Sequence, residues 1–334
     1  MNRYFKETSW CSRLWTTRAI LLTLVVLILL LAIDSSAGFP KNQRHVGTTA
    51  CPFLKIPVGG RAIGMGGAFI AMDGDIECLY WNPAGLATMN ERVVFAQHSE
   101  WLVNTDLDYL AWSCPLRVGV MVVDIGHFSA GKVDDIDEEG RNLGSLPAWD
   151  ALAGVGLAGQ IGKIGMYGVH IEYLHGVLGD ASGQGVGCDV GILVRFFSRE
   201  PNVGISIANL GTYSWKSGMP RSLPTVFGVG TRWKLGQDKL IIGLGARFPI
   251  DWLVRLETGF EWRVLHWLTL RAGISYLLDA RQFGLPILSE RYEDGSVGAT
   301  IKLGRLIVDY VHQGAMDKFV GPGLPQHMDV KWRF

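Results

Sequence analysis

The sequence predicts an all-β protein, a 14-stranded antiparallel transmembrane β-barrel, and three observations carry that prediction. From about Arg92 to Phe334, fourteen stretches read as strands. Within many of them one residue in two is apolar, and the other is small, polar or charged. Their connections alternate in length: short ones around 115–118, 160–164, 198–201, 235–238, 265–267 and 304–305, longer ones at 129–147, 175–186, 210–223, 278–294 and 313–325. An even number of roughly ten-residue strands, with tight turns at one end and long loops at the other, is the pattern of an outer-membrane barrel. It predicts periplasmic termini and external long loops.

The segment 254–262 states the alternation most clearly. Val254, Leu256, Phe260 and Trp262 fall on one face with Thr258; Arg255, Glu257, Gly259, Glu261 and Arg263 fall on the other. Successive side chains of a strand point to opposite faces, so one surface is oily and one is wet. Leu268, Leu270, Ala272, Ile274 and Tyr276 repeat this against Thr269, Arg271, Gly273 and Ser275. So do Leu240, Ile242, Leu244, Ala246 and Phe248 against Gly243, Gly245 and Arg247. A soluble sandwich alternates too, so further features must decide.

The first is the leader. Arg3, Lys6, Arg13 and Arg18 precede an apolar run from Ala19 to Ile33, followed by Ser35, Ser36 and Ala37. This reads as a signal peptide over 1–37, cleaved after Ala37. The run is shorter than the ~20 residues of a spanning helix. The second is aromatic placement. Trp101, Trp149, Trp233, Trp252, Trp262, Trp267 and Trp332 lie near proposed strand ends, where barrels carry interfacial girdles. The third is the C-terminus, where His327, Asp329, Lys331 and Arg333 alternate with Met328, Val330, Trp332 and Phe334. A closing strand must pair with the first, because an open edge in lipid leaves backbone groups unsatisfied.

Composition agrees. Hydrophobic residues make up 48% of the chain, and mean hydropathy is positive. Formal net charge is zero; removing 1–37, with four basic and two acidic residues, leaves 27 basic against 29 acidic. Such a balance offers no field to attract nucleic acid.

Residues 47–90 do not read as strands. They carry Phe53-Leu54-Lys55-Ile56, Gly60-Arg61-Ala62, Gly64-Met65-Gly66-Gly67-Ala68-Phe69 and Leu79-Tyr80-Trp81-Asn82-Pro83-Ala84-Gly85-Leu86-Ala87. This stretch closely resembles the PorV/PorQ family of the FadL-like superfamily of outer-membrane barrels. The strand count and the late Asn209-Leu210-Gly211 before a long connection fit the same resemblance. It implies that 38–90 folds as a hatch inside a barrel formed by 91–334. Gly64, Gly66 and Gly67 would then allow close backbone approach and positive φ. Asn82 as N-cap with Pro83 at the first position makes a good helix start, just after Trp81. The glycine run lacks the G-x-G-x-x-G spacing of a dinucleotide loop.

Candidate chemistry is sparse. No G-x-S-x-G, H-E-x-x-H or C-x-x-C occurs, and no cofactor or metal is expected. His170 and Glu172 share the polar face of one strand, with His175 just beyond. Ordinary wet lining is the default reading; part of a metal site is the sharper one. The run Asp135 to Gly140 opens like a calcium loop, but position twelve would be Leu146, so an EF-hand fails. Asp73, Asp75 and Glu77 invite the same idea with the same weakness. Arg195, Arg232, Arg247, Arg255, Glu257, Glu261, Arg263, Arg271, Lys302 and Asp309 would face the lumen. Their mixed signs suggest ion pairs that anchor an interior plug; a selective ion path favours rings of one sign. Cys51 and Cys78 both fall in the proposed hatch and are the pair favoured for a disulfide, while Cys114 and Cys188 read as apolar wall residues.

The resemblance implies a non-enzymatic barrel that assists protein secretion or surface attachment. Its partners would be outer-membrane lipids and, in some family members, secreted cargo or type IX secretion components. A FadL-like transporter of hydrophobic molecules is the second reading, and a structural or adhesive barrel the third. The apolar stretch Phe283, Leu285, Ile287 and Leu288 is the expected partner or ligand loop.

Overall fold

The computed structural model describes residues 47–101, 105–162, 164–196, 201–216, 218–278, 293–315 and 325–334. The expected leader and the stretch holding Phe283, Leu285, Ile287 and Leu288 lie outside the described residues. Fourteen strands form the wall: β1 (Val93–Glu100), β2 (Asp106–Leu116), β3 (Gly119–Ser129), β4 (Ala148–Ile161), β5 (Gly165–Leu178), β6 (Ala181–Arg195), β7 (Asn202–Trp215), β8 (Val226–Leu235), β9 (Leu240–Pro249), β10 (Val254–Arg263), β11 (Leu268–Leu278), β12 (Glu293–Leu303), β13 (Leu306–Ala315) and β14 (Gln326–Arg333). Each pairs antiparallel with its sequence neighbours. β14 closes on β1 through Val93 opposite Arg333 to Glu100 opposite Gln326. A cylinder results, with no open edge.

The alternation sorts as its chemistry dictates. On β10, Glu257, Gly259 and Glu261 are buried inside, while Phe260 and Trp262 are exposed outside. On β11, Thr269, Arg271, Gly273 and Ser275 point in; Leu270, Ala272 and Tyr276 point out. Ile125, Val155, Ile171, Ile192 and Val297 stand more than 45% exposed on the outer wall. Water would not tolerate such a continuous apolar belt, whereas hydrocarbon does. Among the described residues no helix is long and apolar enough to cross a membrane; strands make the crossing.

The six expected short turns all fall between wall strands. Two expected long loops are corrected, and a third is as long as expected but carries structure of its own. At 175–186, β5 and β6 run on to a two-residue turn, with Leu178 opposite Ala181. Gly183 and Gly185, placed in that loop by the sequence, are wall residues over which the Tyr213 ring lies, and a Cβ on Gly183 would come within 2.5 Å of it. At 210–223, β7 continues to Trp215, and Arg221–Ser222 pairs back onto Tyr213 and Thr212. The 129–147 connection holds a small hairpin of Val133–Ile136 with Asn142–Leu146. β4 to β7 therefore have 14 or 15 residues each and form a taller wall than the other strands.

Candidate functional site

Within the lumen lies an inner segment, with 3-10 turns at Pro52–Lys55 and Pro83–Thr88 and helices α1 (Gly60–Gly64) and α2 (Cys78–Trp81). These pieces are too short to be stable alone; packing against the wall holds them. Gly66 has φ +63° and Gly67 φ +84°. A Cβ on Gly66 would lie 2.6 Å from Ile274 N, and one on Gly67 2.6 Å from Glu257 Oε1. Gly64 differs from the expectation for the three: its Cβ would make only ordinary 3.5 Å contacts with Arg271 and Val311. Asn82 caps the second 3-10 turn by accepting from Ala84 N at 3.1 Å, with Pro83 following. Its Nδ2 also donates to Ile70 O at 2.8 Å. Trp81 Nε1 donates to Val58 O at 2.8 Å, tying two parts of the segment together.

Towards the short-turn end the segment is held by charge. Asp73 receives Arg195 at 3.0 Å and Arg232 at 2.5 Å, with Lys234 4.0 Å away. Burial pushes the Asp73 carboxyl up, but these cations outweigh it and hold it below its usual range. Arg61 reaches Glu261 at 2.7 Å and Asp75 at 3.2 Å. Arg271 bridges Glu261 and Asp309, each at 2.7 Å. Lys331 contacts Glu77 and lies 3.3 Å from Asp75 and 3.5 Å from Asp309. Backbone nitrogens of Gly59 and Gly60 donate to Gln97 and Asp329. Burial pushes the Glu77 carboxyl up to about 7, against the lowering pull of Lys331. Carboxylate oxygens of Glu77, Asp309 and Asp329 lie within 4.8 Å of one another, close enough to hold an ion. The Lys331 ammonium already sits among them.

Other expected residues are placed as follows. Arg247 pairs with Glu257 at 2.5 Å and lies 4.5 Å from the Trp81 ring centre. Arg255 faces Asp294 at 3.5 Å. Lys302 is half-buried, while Arg263 is exposed at the end of β10 beside the 264–267 turn. Its parity is inward, and its place at a strand end explains the exposure. Cys51 and Cys78 are separate buried thiols, correcting the expected pair. Cys78 Sγ is 3.6 Å from Met72 O, and burial pushes both thiols up. Cys114 and Cys188 are half-buried wall residues.

Higher in the barrel the taller wall carries a cluster that sequence reading only glimpsed. His170 Nδ1 is 2.9 Å from Asp189 and Nε2 3.0 Å from Asp124. Both ring nitrogens face carboxylates, so the ring is suited to donate from both. Tyr109 donates to Asp124 at 2.8 Å. Asn209 N donates to Asp189 Oδ1 at 2.6 Å, from a bulge where Asn209 has φ +58° and the register slips beside Val190. Glu172 is buried here, and its Oε1 has no hydrogen-bond partner. His175 points out instead, 5.5 Å from the Trp149 ring. The alternation of one strand could not supply Asp124, Tyr109 and Asp189, because they come from three others.

These residues border a cavity of about 230 Å³ between the inner segment and the long-loop end. Phe53, Tyr80, Trp81, Trp101, Leu152 and Trp252 give it an aromatic lining. Trp101 and Trp252, expected in the interfacial girdle, thus face the lumen, because both sit in connections past the strand ends. Lys55 stands at its edge, paired with Asp251 and 6.0 Å from the Trp252 ring centre.

The comparisons with known proteins agree with this architecture. A family model described as an uncharacterised protein family (UPF0164) matches residues 31–117. No curated protein matches the chain. Among solved structures, the P. putida toluene transporter TodX is similar at a TM-score of 0.59 and 12% identity, covering 83% of this chain and 98% of that one. The CymD monoaromatic hydrocarbon channel aligns at 0.58 and 13%, covering 84% and 98%. A Pseudomonas aeruginosa FadL homologue aligns at 0.55 and 11%, covering 83% and 98%. At such identities the likeness is one of fold. Closed wall, apolar belt and shared fold together make this chain a 14-stranded β-barrel of the bacterial outer membrane, similar in fold to these channels.

Proposed function

We propose that the barrel is a transporter that admits a small hydrophobic molecule from the long-loop end into the aromatic cavity and releases it past the inner segment. The aromatic cavity carries this reading: a concave, mostly apolar pocket with a few polar groups is what a small-molecule site requires. The inner segment acts as its hatch. Likeness of fold to hydrocarbon channels supports the same reading. Uptake of labelled toluene by cells carrying the barrel tests it, with Leu107→Trp and Leu152→Trp filling the cavity. Saturable uptake is expected, and lost in the filled variants while heat-modifiable gel migration stays normal. Uptake no faster than in cells lacking the protein rejects the reading.

A secretion-linked role is the second reading, favoured by the resemblance of the 53–87 motifs to the PorV/PorQ family. The exposed Val133–Leu146 region, with Asp134, Asp135, Glu138 and Glu139, would offer cargo an acidic surface. Replacing Phe283, Leu285 and Ile287 with Ser separates the two. Loss of a co-purifying envelope protein with uptake intact supports this role; loss of uptake with partners retained rejects it.

A further inference from the structure

We infer that the cavity selects positively charged guests: a small organic amine with an apolar, aromatic-sized body, its ammonium held at Glu172. This rests on the cavity being a ligand site and goes beyond it by naming the ligand's charge. Three observations carry it.

The first is the charge around the cavity. Its cations are Lys55, Arg247, Arg255 and His170. Each already faces a carboxylate: Asp251, Glu257 and Asp294 for the first three, Asp124 and Asp189 for His170. The carboxylates of the lining itself are Asp124, Asp189, Asp294 and Glu172. Among the described residues every lining cation thus has a carboxylate at hand and none is paired with Glu172, which leaves one buried acidic group without a cationic partner.

The second is the state of Glu172. It lines the cavity, is only 4% exposed, and its Oε1 is buried without a partner. Asp124 and Asp189 differ, since Tyr109 and Asn209 N serve their remaining oxygens. Buried polar atoms are nearly always satisfied, so an orphan acceptor beside a cavity marks where a donor belongs.

The third is the lining. Tyr80 and Trp81 meet edge to face at 5.4 Å, and with Tyr109 and Trp101 they border the same space. Aromatic faces attract cations as well as apolar bodies. Arg247 over Trp81 already uses one such face.

The test uses the full-length barrel folded in detergent at pH 7, with three probes of nearly one shape: 2-phenylethylammonium, propylbenzene and 3-phenylpropionate. Binding is measured by titration calorimetry. The ammonium is expected to bind about tenfold or more tightly than propylbenzene, as a charge-assisted hydrogen bond allows, with 3-phenylpropionate weakest. Glu172→Gln keeps the shape, and should reduce the ammonium to the level of the hydrocarbon. If that variant fails to fold, the wild-type preference among the probes decides. Equal or tighter binding of propylbenzene overturns the inference yet leaves the cavity a hydrophobic site. Failure of all three probes overturns both. An ammonium preference that survives Glu172→Gln overturns the assignment to Glu172.

Discussion

The two halves of the lumen solve opposite problems with the same residue types. Near the short turns, Asp73, Asp75, Glu77, Glu261 and Asp309 are interleaved with Arg61, Arg195, Arg232, Arg271 and Lys331 in direct ion pairs. Near the long loops, the carboxylates of Asp124, Asp189 and Glu172 surround a single imidazole and border open space. Charge in the first half is spent on fixing the inner segment to the wall. In the second it is left poised around a cavity. The difference teaches where the segment is anchored and where a guest has room.

The largest expected effect breaks the anchored half. Lys331→Met leaves Asp75, Glu77 and Asp309 without their shared ammonium, and should lower stability by ~3–5 kcal/mol, read from urea unfolding of the folded barrel. Glu172→Gln, in the other half, should leave the unfolding midpoint unchanged or raise it, since its Oε1 has no partner to lose. Equal losses would erase the contrast.

A lipid-facing control comes next. Leu244 sits midway along β9 with outward parity. Leu244→Arg should cost ~2–4 kcal/mol if that position meets the bilayer midplane, while Leu244→Met should be near neutral in the same assay.

A smaller effect is expected at the segment's own joint. Asn82→Ala removes the cap on Ala84 N and the bond to Ile70 O, and should cost about 1 kcal/mol from the cap alone. Protease sensitivity near Gly85 is a second readout, and resistance equal to wild type would show that the wall alone holds the turn.

The gentlest probe is pH. Burial raises the Glu77 carboxyl from 4.5 to about 7 in the fold. The native state then binds more protons than the unfolded chain between those values, so this contribution is fully present below about 4.5 and is lost as pH rises through about 7. Glu77→Gln should flatten that stretch of the stability profile; an unchanged slope would assign it to other groups.

Much of the wall was legible in the sequence because alternation has a period of two and lipid enforces it on every strand. Phe260 against Glu261, or Leu270 against Arg271, needs no tertiary knowledge. Local chemistry also spoke plainly at Asn82-Pro83, where the cap forms as a helix start predicts. Strand ends were less legible. Gly183 and Gly185 read as loop until Tyr213, from the neighbouring strand, was seen to need their missing side chains.

Sequence by itself thus determined the barrel, the strand count, the oily outer face and the wet inner one, since each follows from neighbours along one chain. Only the tertiary structure decided which charges meet. Asp73 and Arg232 are 159 positions apart, and Asp124 and His170 are 46 apart. Parity places a side chain inside but says nothing of its partner. That choice is made by strand register and by the path of the inner segment across the lumen, which together leave Glu172 facing the cavity without a donor.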